Sequence, residues 1–208
     1  FLNLYCYTAA ATVHAAVGGA KSSVSVDLSN TYIKWAKRNF DANGMTEGKH
    51  KLVAADCRAW MKDYKNRDVL FDVIFMDPPT FSNSKKTHET LDIQRDHAEL
   101  IALAMKHLEV GGQLVFSNNR RGFKLDDAVL EQYVVKDISA RSIPKDFKRN
   151  QKIHQCWILS PRDWASNSGE IWTKPKKVQW VMAQNATIFK ADIQISDLNR
   201  HHYELHSL

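Results

Sequence analysis

The chain has 208 residues, of which 44% are hydrophobic, 25% charged and 10% aromatic, and these proportions exclude collagen-like, disordered and coiled-coil proteins. No apolar run approaches the roughly 20 residues that a membrane-spanning helix needs. The net charge of +6 favours polyanionic partners, because lysine and arginine neutralise phosphates.

Short β-rich runs alternate with longer helical stretches. Strands are predicted at residues 2–5, 24–27, 52–55, 73–77, 113–117, 134–138 and 153–159. Helices are predicted from residue 9, over 29–43, through residue 61 and over 92–108, and Gly111 and Gly112 are expected to turn the chain into the next strand. This alternation predicts an α/β fold with a mostly parallel seven-stranded sheet, closed by an antiparallel hairpin if the last two strands pair.

Ser29 is the expected N-cap of the second helix and Gly44 its end, because Ile33, Ala36 and Phe40 repeat between them at helical spacing. In an open α/β sheet, ligands bind beyond the carboxyl ends of the strands. Four of the predicted strand ends carry unusual residues.

The first strand end is followed by Tyr5, Tyr7 and Thr8 and then by three alanines from Ala9 onwards. Small residues let a ligand approach the backbone, and the N-terminus of the next helix favours anionic groups. An ordinary strand-to-helix turn explains the same pattern, and the sequence leaves both interpretations open.

Acidic residues stand at the next two strand ends. Asp27, followed by Leu28, is placed to accept hydrogen bonds from ribose hydroxyls, or else it only begins the next helix. Asp56, followed by Cys57, is placed to accept from the exocyclic amine of adenine, or else it only caps the following short helix.

The fourth strand end carries the sharpest motif, Asp77-Pro78-Pro79-Thr80-Phe81. Two prolines fix the backbone just after a buried strand, and the first restricts Asp77 to extended conformations. Such a loop can hold a planar base against Phe81; the alternative is an ordinary proline turn. We call residues 77–81 the diproline loop.

The four ends together favour S-adenosylmethionine over a dinucleotide as the ligand. A dinucleotide site needs a G-x-G-x-x-G turn for its pyrophosphate, and the chain has no such motif. The predicted cofactor contacts are Tyr5, Tyr7, Thr8, Asp27, Leu28, Asp56, Cys57 and Asp77.

Seven stretches in order resemble one family, the bifunctional bacterial 23S rRNA methyltransferases RlmK/L, in their C-terminal, guanine-N7 half. They are residues 2–17, 26–29, 55–57, 77–85, 94–97, 116–123 and 146–157. The resemblance implies a Rossmann-like class I adenosylmethionine-dependent methyltransferase fold, with guanine-N7 methylation of 23S rRNA or a ribosomal precursor. It also implies a separate N-terminal guanine-N2 methyltransferase half in the full-length relatives. The family usually carries glycine where Ala9 stands, and an added methyl group there would crowd the cofactor.

Guanine N7 has an exposed lone pair and no proton, so its methylation needs alignment and no general base. We expect Asp77, Pro78, Pro79 and Phe81 to position the base. Cytosine-5 methylation needs a cysteine nucleophile, which related enzymes carry where this chain has Ser117, Asn118 and Asn119. Two alternatives are a cytosine-5 enzyme and a catalytically silent RNA-binding module.

RNA contacts are expected from basic and amide side chains near the diproline loop and the fifth strand, although a solvated charged face explains each lysine singly. They are Lys85, Lys86, Arg95, Asn118, Asn119, Arg120, Arg121, Lys124, Arg149 and Lys152. His97 and His154 either touch the substrate or make structural hydrogen bonds.

Residues 1–160 are predicted to form the methyltransferase domain, and residues 161–208, with three tryptophans and a basic cluster, a tail of no assigned role. The chain begins at Phe1 inside an apolar run, so we expect a fragment of a longer protein. Cys6, Cys57 and Cys156 form no C-x-x-C pair, so no disulfide framework or zinc site is predicted, and a reducing, cytoplasmic setting is expected.

Overall fold

The structure is a computed structural model that describes residues 1–46, 48–83, 90–143, 150 and 154–162. The strands are β1 Leu2–Leu4, β2 Ser23–Asp27, β3 His50–Ala54, β4 Phe71–Met76, β5 Phe81–Ser82, β6 Leu91–Asp92, β7 Leu108–Asn118, β8 Tyr133–Asp137 and β9 Gln155–Pro161. The helices are α1 Ala10–Val17, α2 Asn30–Ala42, α3 Cys57–Lys62, α4 Ile93–Met105, α5 Asp127–Gln132 and α6 Ser139–Ser142.

Seven strands form one sheet in the order β3-β2-β1-β4-β7-β9-β8. The pairs from β3 to β7 are parallel, while β9 pairs antiparallel with both β7 and β8. The predicted mostly parallel sheet with an antiparallel closure is therefore confirmed. From β1 the chain winds outward through β2 to β3 and then returns to β4 on the other side, so the strand order reverses between β1 and β4. In α/β sheets a ligand crevice opens at that point.

The second helix begins and ends as its sequence predicts. Ser29 Oγ accepts a hydrogen bond from Tyr32 N at 3.3 Å, which satisfies one of the free amides of the first turn. Gly44 follows the helix with φ of 65°, a left-handed conformation that favours glycine.

Gly111 and Gly112 lie inside β7, where the sequence predicted a turn before the strand. The register between β4 and β7 shifts from Phe71 opposite Leu108 to Val73 opposite Gln113, so a bulge absorbs the extra residues. A Cβ atom on Gly112 would stand 2.8 Å from the Glu109 carbonyl oxygen and 3.0 Å from two others, so only glycine fits the bulge.

Several short elements fall outside the predicted set. The β5 and β6 strands have two residues each and pair antiparallel beyond β4, and α5 spans six residues after the fifth strand of the main sheet. Elements this short carry too few side chains for a hydrophobic period to be read.

The main core lies between the sheet and the α3–α4 layer, around Leu4, Ile74, Leu100 and Phe116, which are all fully buried. A smaller core around Phe1 and Val115 packs on the opposite face. Within the part of the chain that the structure describes, no helix is long and apolar enough to cross a lipid bilayer. The core thus fixes the position of the strands, and loops follow their carboxyl ends.

Candidate active site

The loop after β1 is held in an unusual backbone conformation. Tyr5, Tyr7 and Ala9 have φ values of 58°, 51° and 56°, all in the left-handed region that glycine adopts most easily. Each such residue costs on the order of 1 kcal/mol or more and persists only where surrounding contacts hold it. Ala9 therefore occupies a position suited to glycine, as the resemblance implies, and its side chain is fully buried.

Asp27 is one of the contacts that hold this loop. Its Oδ2 accepts from Tyr7 N at 2.9 Å, and its Oδ1 accepts from Ser29 N at 2.9 Å. Both carboxylate oxygens are thereby fixed at the carboxyl end of β2, and each retains a second acceptor site. The carboxylate is oriented by the backbone before any ligand arrives.

Cys57 holds the same loop from below. Its Sγ accepts from Tyr5 N at 3.1 Å and donates to Val26 O at 3.4 Å, and the residue is only 1% exposed. Burial raises the pKa of the thiol well above its usual range. The Cys57 side chain thus links the loop after β1 to β2, and the cofactor contact predicted at Cys57 stays a prediction.

Asp56 caps α3, as one of the two interpretations predicted. Its Oδ1 accepts from Ala59 N at 2.7 Å, so the carboxylate stands at the N-terminus of that helix. The adenine contact stays a prediction. Nearby Tyr5 is largely buried, and burial first, then the neighbouring Cys57 and Asp56, raise the pKa of its hydroxyl.

Two aromatic side chains lie beside Asp27 at the rim. The rings of Tyr7 and Tyr32 meet edge to face with centroids 4.5 Å apart. They remain 50% and 39% exposed. Thr8 is buried, and its carbonyl oxygen accepts from Asn39 Nδ2 at 2.8 Å, while Leu28 is half-buried.

The diproline loop leaves β4 directly beside this region, since β4 pairs with β1. Asp77 is half-buried and Pro78 buried, whereas Phe81 is 61% exposed, which is unusual for so large an apolar ring. Burial raises the pKa of the Asp77 carboxyl, and a hydrogen bond from the Ser117 hydroxyl opposes that rise. An acid and a free aromatic face thus stand on one rigid loop.

The polar groups at the end of β7 divide between buried and exposed positions. Asn118 is fully buried; its Oδ1 accepts from Arg120 N at 3.1 Å, and its Nδ2 has no hydrogen-bond partner among the described residues. The buried Asn118 side chain supports the following loop, and its predicted RNA contact stays a prediction. Asn119 and Arg121 are exposed, as a direct contact requires.

Arg95 and the two histidines make structural contacts. The Arg95 guanidinium donates to the Asp96 carboxylate at 2.6 and 2.9 Å and to Thr90 O at 2.6 Å, so its charge is already paired. His97 Nε2 accepts from Asp126 N at 2.9 Å, and its Nδ1 therefore donates to the Ile93 and Gln94 carbonyls. His154 Nε2 bonds to Ser142 Oγ at 2.9 Å, and burial lowers the pKa of its ring.

Four predicted RNA contacts, Lys85, Lys86, Arg149 and Lys152, lie outside the described residues, as does the tail over residues 163–208. Within the described part, sequence reasoning missed two residues at the site. Ser117 bonds the Asp77 carboxyl, and Gln94 bonds the loop after β7. The only signal for Ser117 was its place opposite Asp77 on the neighbouring strand; Gln94 contacts a residue 30 positions away, which no local pattern shows.

Comparison with known proteins supplies the family. The family model described as Conserved hypothetical protein 95 matches residues 1–111, more than half of the chain. The chain belongs to this family. The residues that this family model matches include β1 to β4 and the diproline loop, which together form the predicted site.

Among curated relatives of this family member, the Ribosomal RNA large subunit methyltransferase K/L of Cellvibrio japonicus is 57% identical over 159 residues, covering 76% of this chain and 21% of that protein. The Ribosomal RNA large subunit methyltransferase K of Neisseria meningitidis is 58% identical over 159 residues, covering 76% and 45%. The chain thus spans about a fifth of the first relative and less than half of the second.

A solved structure of SMU.776, classed as a methyltransferase and complexed with SAH, superposes with a TM-score of 0.66 at 28% identity, covering 76% of this chain and 44% of that one. The fold of this Conserved hypothetical protein 95 member is therefore the Rossmann-like fold of S-adenosylmethionine-dependent methyltransferases, as predicted. The closing antiparallel pair formed by β8 and β9 belongs to that architecture.

Proposed function

We propose that this chain binds S-adenosylmethionine at the carboxyl ends of β1 to β4 and methylates guanine N7 in 23S rRNA. The observation that carries the proposal is the diproline loop: a half-buried Asp77 and an exposed Phe81 follow β4, the strand next to β1, where the strand order reverses. Names of the relatives support the large-subunit rRNA as the substrate class.

The residues of the first loop fit the cofactor. The loop offers no glycine-rich phosphate cradle, and Asp27 presents a fixed carboxylate suited to two ribose hydroxyls. When bound, S-adenosylmethionine supplies an electrophilic methyl group. Asp27 and Asp56 would hold the nucleoside, and the backbone around Tyr5 to Thr8 would contact the amino-acid end.

The diproline loop would orient the base. Phe81 offers a free face for stacking, and unstacked RNA bases are commonly held on such rings. The Asp77 carboxylate can accept from the N1 and N2 hydrogens of guanine, which fixes the ring and turns its N7 lone pair toward the methyl group. Since N7 carries no proton, no general base is required, and alignment supplies the rate enhancement.

A cytosine-5 mechanism is disfavoured by the state of the nearest thiol. Cys156 lies opposite Ser117 on β9, close to the diproline loop. It is 1% exposed, and burial first, then Asp77, raise its pKa. A nucleophilic cysteine must instead be accessible and readily ionised.

The test is methylation of in-vitro-transcribed 23S rRNA by the 208-residue chain, with nucleoside mass analysis. We expect 7-methylguanosine, its loss in Asp77→Ala with the fold intact by circular dichroism, and weakened cofactor binding in Asp27→Ala by calorimetry. Asp68→Ala, an exposed acid that precedes β4 whereas Asp77 follows it, is the matched control. A different methylated nucleoside, or full activity of Asp77→Ala, would contradict the proposal.

The two alternatives predict different results. A silent RNA-binding module would bind the transcript and show no thermal shift with S-adenosylmethionine. A cytosine-5 enzyme would form a covalent adduct with RNA containing 5-fluorocytosine, and we expect no adduct.

A further inference from the structure

The segment after β7, residues 119–126, carries three cationic side chains and is here called the basic loop. Arg121 and Lys124 are exposed and Arg120 is half-buried. Gly122 turns the loop with φ of 68°, and Phe123 N donates to Arg120 O at 3.3 Å. The loop is therefore a defined turn with its charges outward.

Gln94, in the first turn of α4, uses its whole side chain on this loop. Its Nε2 donates to Lys124 O at 2.8 Å. Its Oε1 accepts from Lys124 N at 3.0 Å and from Arg120 Nη1 at 3.3 Å. One neutral side chain thus fixes the backbone at one end of the loop and the guanidinium at the other.

Further contacts hold the loop at its ends and middle. Asn118 Oδ1 accepts from Arg120 N at 3.1 Å, and His97 Nε2 accepts from Asp126 N at 2.9 Å. Between them Phe123 is 7% exposed, with its ring centroid 4.7 Å from that of His97 and 5.5 Å from that of Trp157. The loop is ordered by the protein itself before it meets a partner.

The same turn of α4 also holds the diproline loop. Ile93 N donates to Thr80 O at 3.2 Å, and Phe81 pairs with Asp92, the N-cap of α4. Gln94 follows Ile93 directly. The two loops are therefore tied to adjacent residues, and their relative position is set by a single helical turn.

We propose that Gln94 is a positioning residue for RNA: it holds the basic loop beside the diproline loop, so that Arg120, Arg121 and Lys124 present one fixed cationic surface to the phosphates flanking the target nucleotide. The inference rests on the RNA substrate of the proposed function. Arginine pairs with phosphate through two parallel hydrogen bonds, so its orientation matters as well as its charge. A loop ordered in advance also avoids the entropic cost of ordering on binding.

The test measures RNA affinity at several salt concentrations, using the 208-residue chain and a labelled mixed-sequence single-stranded RNA, with full-length 23S transcript for kinetics. The variants are Gln94→Met, Arg120→Met and the double variant. Methionine matches glutamine in length and favours helix, and it is an unbranched apolar replacement for arginine; it cannot make these hydrogen bonds. Lys106→Met, an exposed cation at the other end of α4, is the matched control.

Gln94→Met is expected to raise the RNA Kd by about three- to ten-fold, the effect of losing one or two hydrogen bonds. Arg120→Met should reduce the salt slope of log Kd by about one, as for one lost phosphate contact. Gln94 is neutral, so its replacement removes no charge. A fall in the salt slope of Gln94→Met comparable to that of Arg120→Met would therefore show that an arginine has been displaced. The double variant should bind more weakly than Arg120→Met, because Gln94 also holds Lys124, but by less than the product of the two single effects, and saturating RNA should restore kcat.

Three results would overturn the proposal: an unchanged RNA Kd in Gln94→Met, a weakened Kd with an unchanged salt slope, or strictly additive effects in the double variant. Calorimetry with S-adenosylmethionine shows whether each variant is folded. Because the readout is RNA binding, it remains decisive if the methylated atom differs from N7. Failure of the proposed function would instead appear as the wrong nucleoside product.

Discussion

Replacing Asp96 with asparagine is expected to lower the free energy of unfolding at neutral pH. It should also make that free energy depend less on pH in the acid range. Asp96 lies on α4 and is 8% exposed. Its carboxylate accepts from Arg95 at 2.6 and 2.9 Å and from Asp92 N at 3.0 Å, and Arg58 Nη2 stands 3.3 Å away. This cluster joins α3 to the turn that begins α4.

The hydrogen bond from Arg95, with smaller contributions from Asp92 N and Arg58, lowers the pKa of Asp96 from 3.8 to about 2. A carboxyl with a depressed pKa stabilises the folded state fully above its unfolded value, and this stabilisation disappears as the pH falls through its folded value. The difference corresponds to about 2 kcal/mol present above pH ~4 and lost toward pH ~2. In a chain of this length that equals a Tm change of about 4 to 8 °C.

Urea unfolding of the wild-type chain and Asp96→Asn between neutral pH and the acid limit measures the effect. The matched control is Asp41→Asn, because Asp41 pairs with Lys37 at 3.4 Å with both side chains more than half exposed. Such a pair contributes at most about 1 kcal/mol. If the two variants lose equal stability, or if the Asp96→Asn deficit stays constant down to the acid limit, the carboxylate does not act as described.

Three further outcomes follow from the structure. Gly112→Ala should destabilise the fold by about 2 kcal/mol or more in denaturant titration, because the new methyl group would meet three carbonyl oxygens at 2.8 to 3.0 Å, whereas Gly48→Ala, with nothing within 4 Å, should change little. Ala9→Gly should alter the free energy of unfolding by less than about 1 kcal/mol, since relief of left-handed strain offsets the buried methyl group and the added chain entropy; a loss beyond about 2 kcal/mol would contradict this. The three buried cysteines should react with a thiol reagent only after unfolding, and rapid labelling of the folded chain would contradict their burial.

The regular part of the sheet could be predicted because its signals are local. Short β-rich runs between helical stretches marked the seven strands. The acidic residues at the ends of β2, β3 and β4 lie where the sequence predicted them. The course of β7 could not be predicted, because Gly111 and Gly112 signal a turn locally while pairing with β4 keeps them inside a bulged strand. Pairing is a tertiary interaction, and it overrides the local preference.

The roles of individual site residues were less predictable than their positions. Cys57 comes after β3 and Asn118 ends β7, both near the predicted site, yet both are buried and bond to backbone groups. Gln94 looked like one polar residue in a helix start, but it contacts a loop 30 residues away. Direction and burial of a side chain depend on the packing of distant elements, and one sequence carries no explicit record of them.

The left-handed loop after β1 links these observations. Tyr5, Tyr7 and Ala9 share a costly conformation. Cys57 at the start of α3 bonds Tyr5 N, and Asp27 at the end of β2 bonds Tyr7 N. The loop therefore depends on β1, β2 and α3 being packed together. A ligand that depends on this shape would bind the folded chain alone and would stabilise it in proportion to its concentration. Strain in the loop and the fixed carboxylate of Asp27 are then two aspects of one preorganised site.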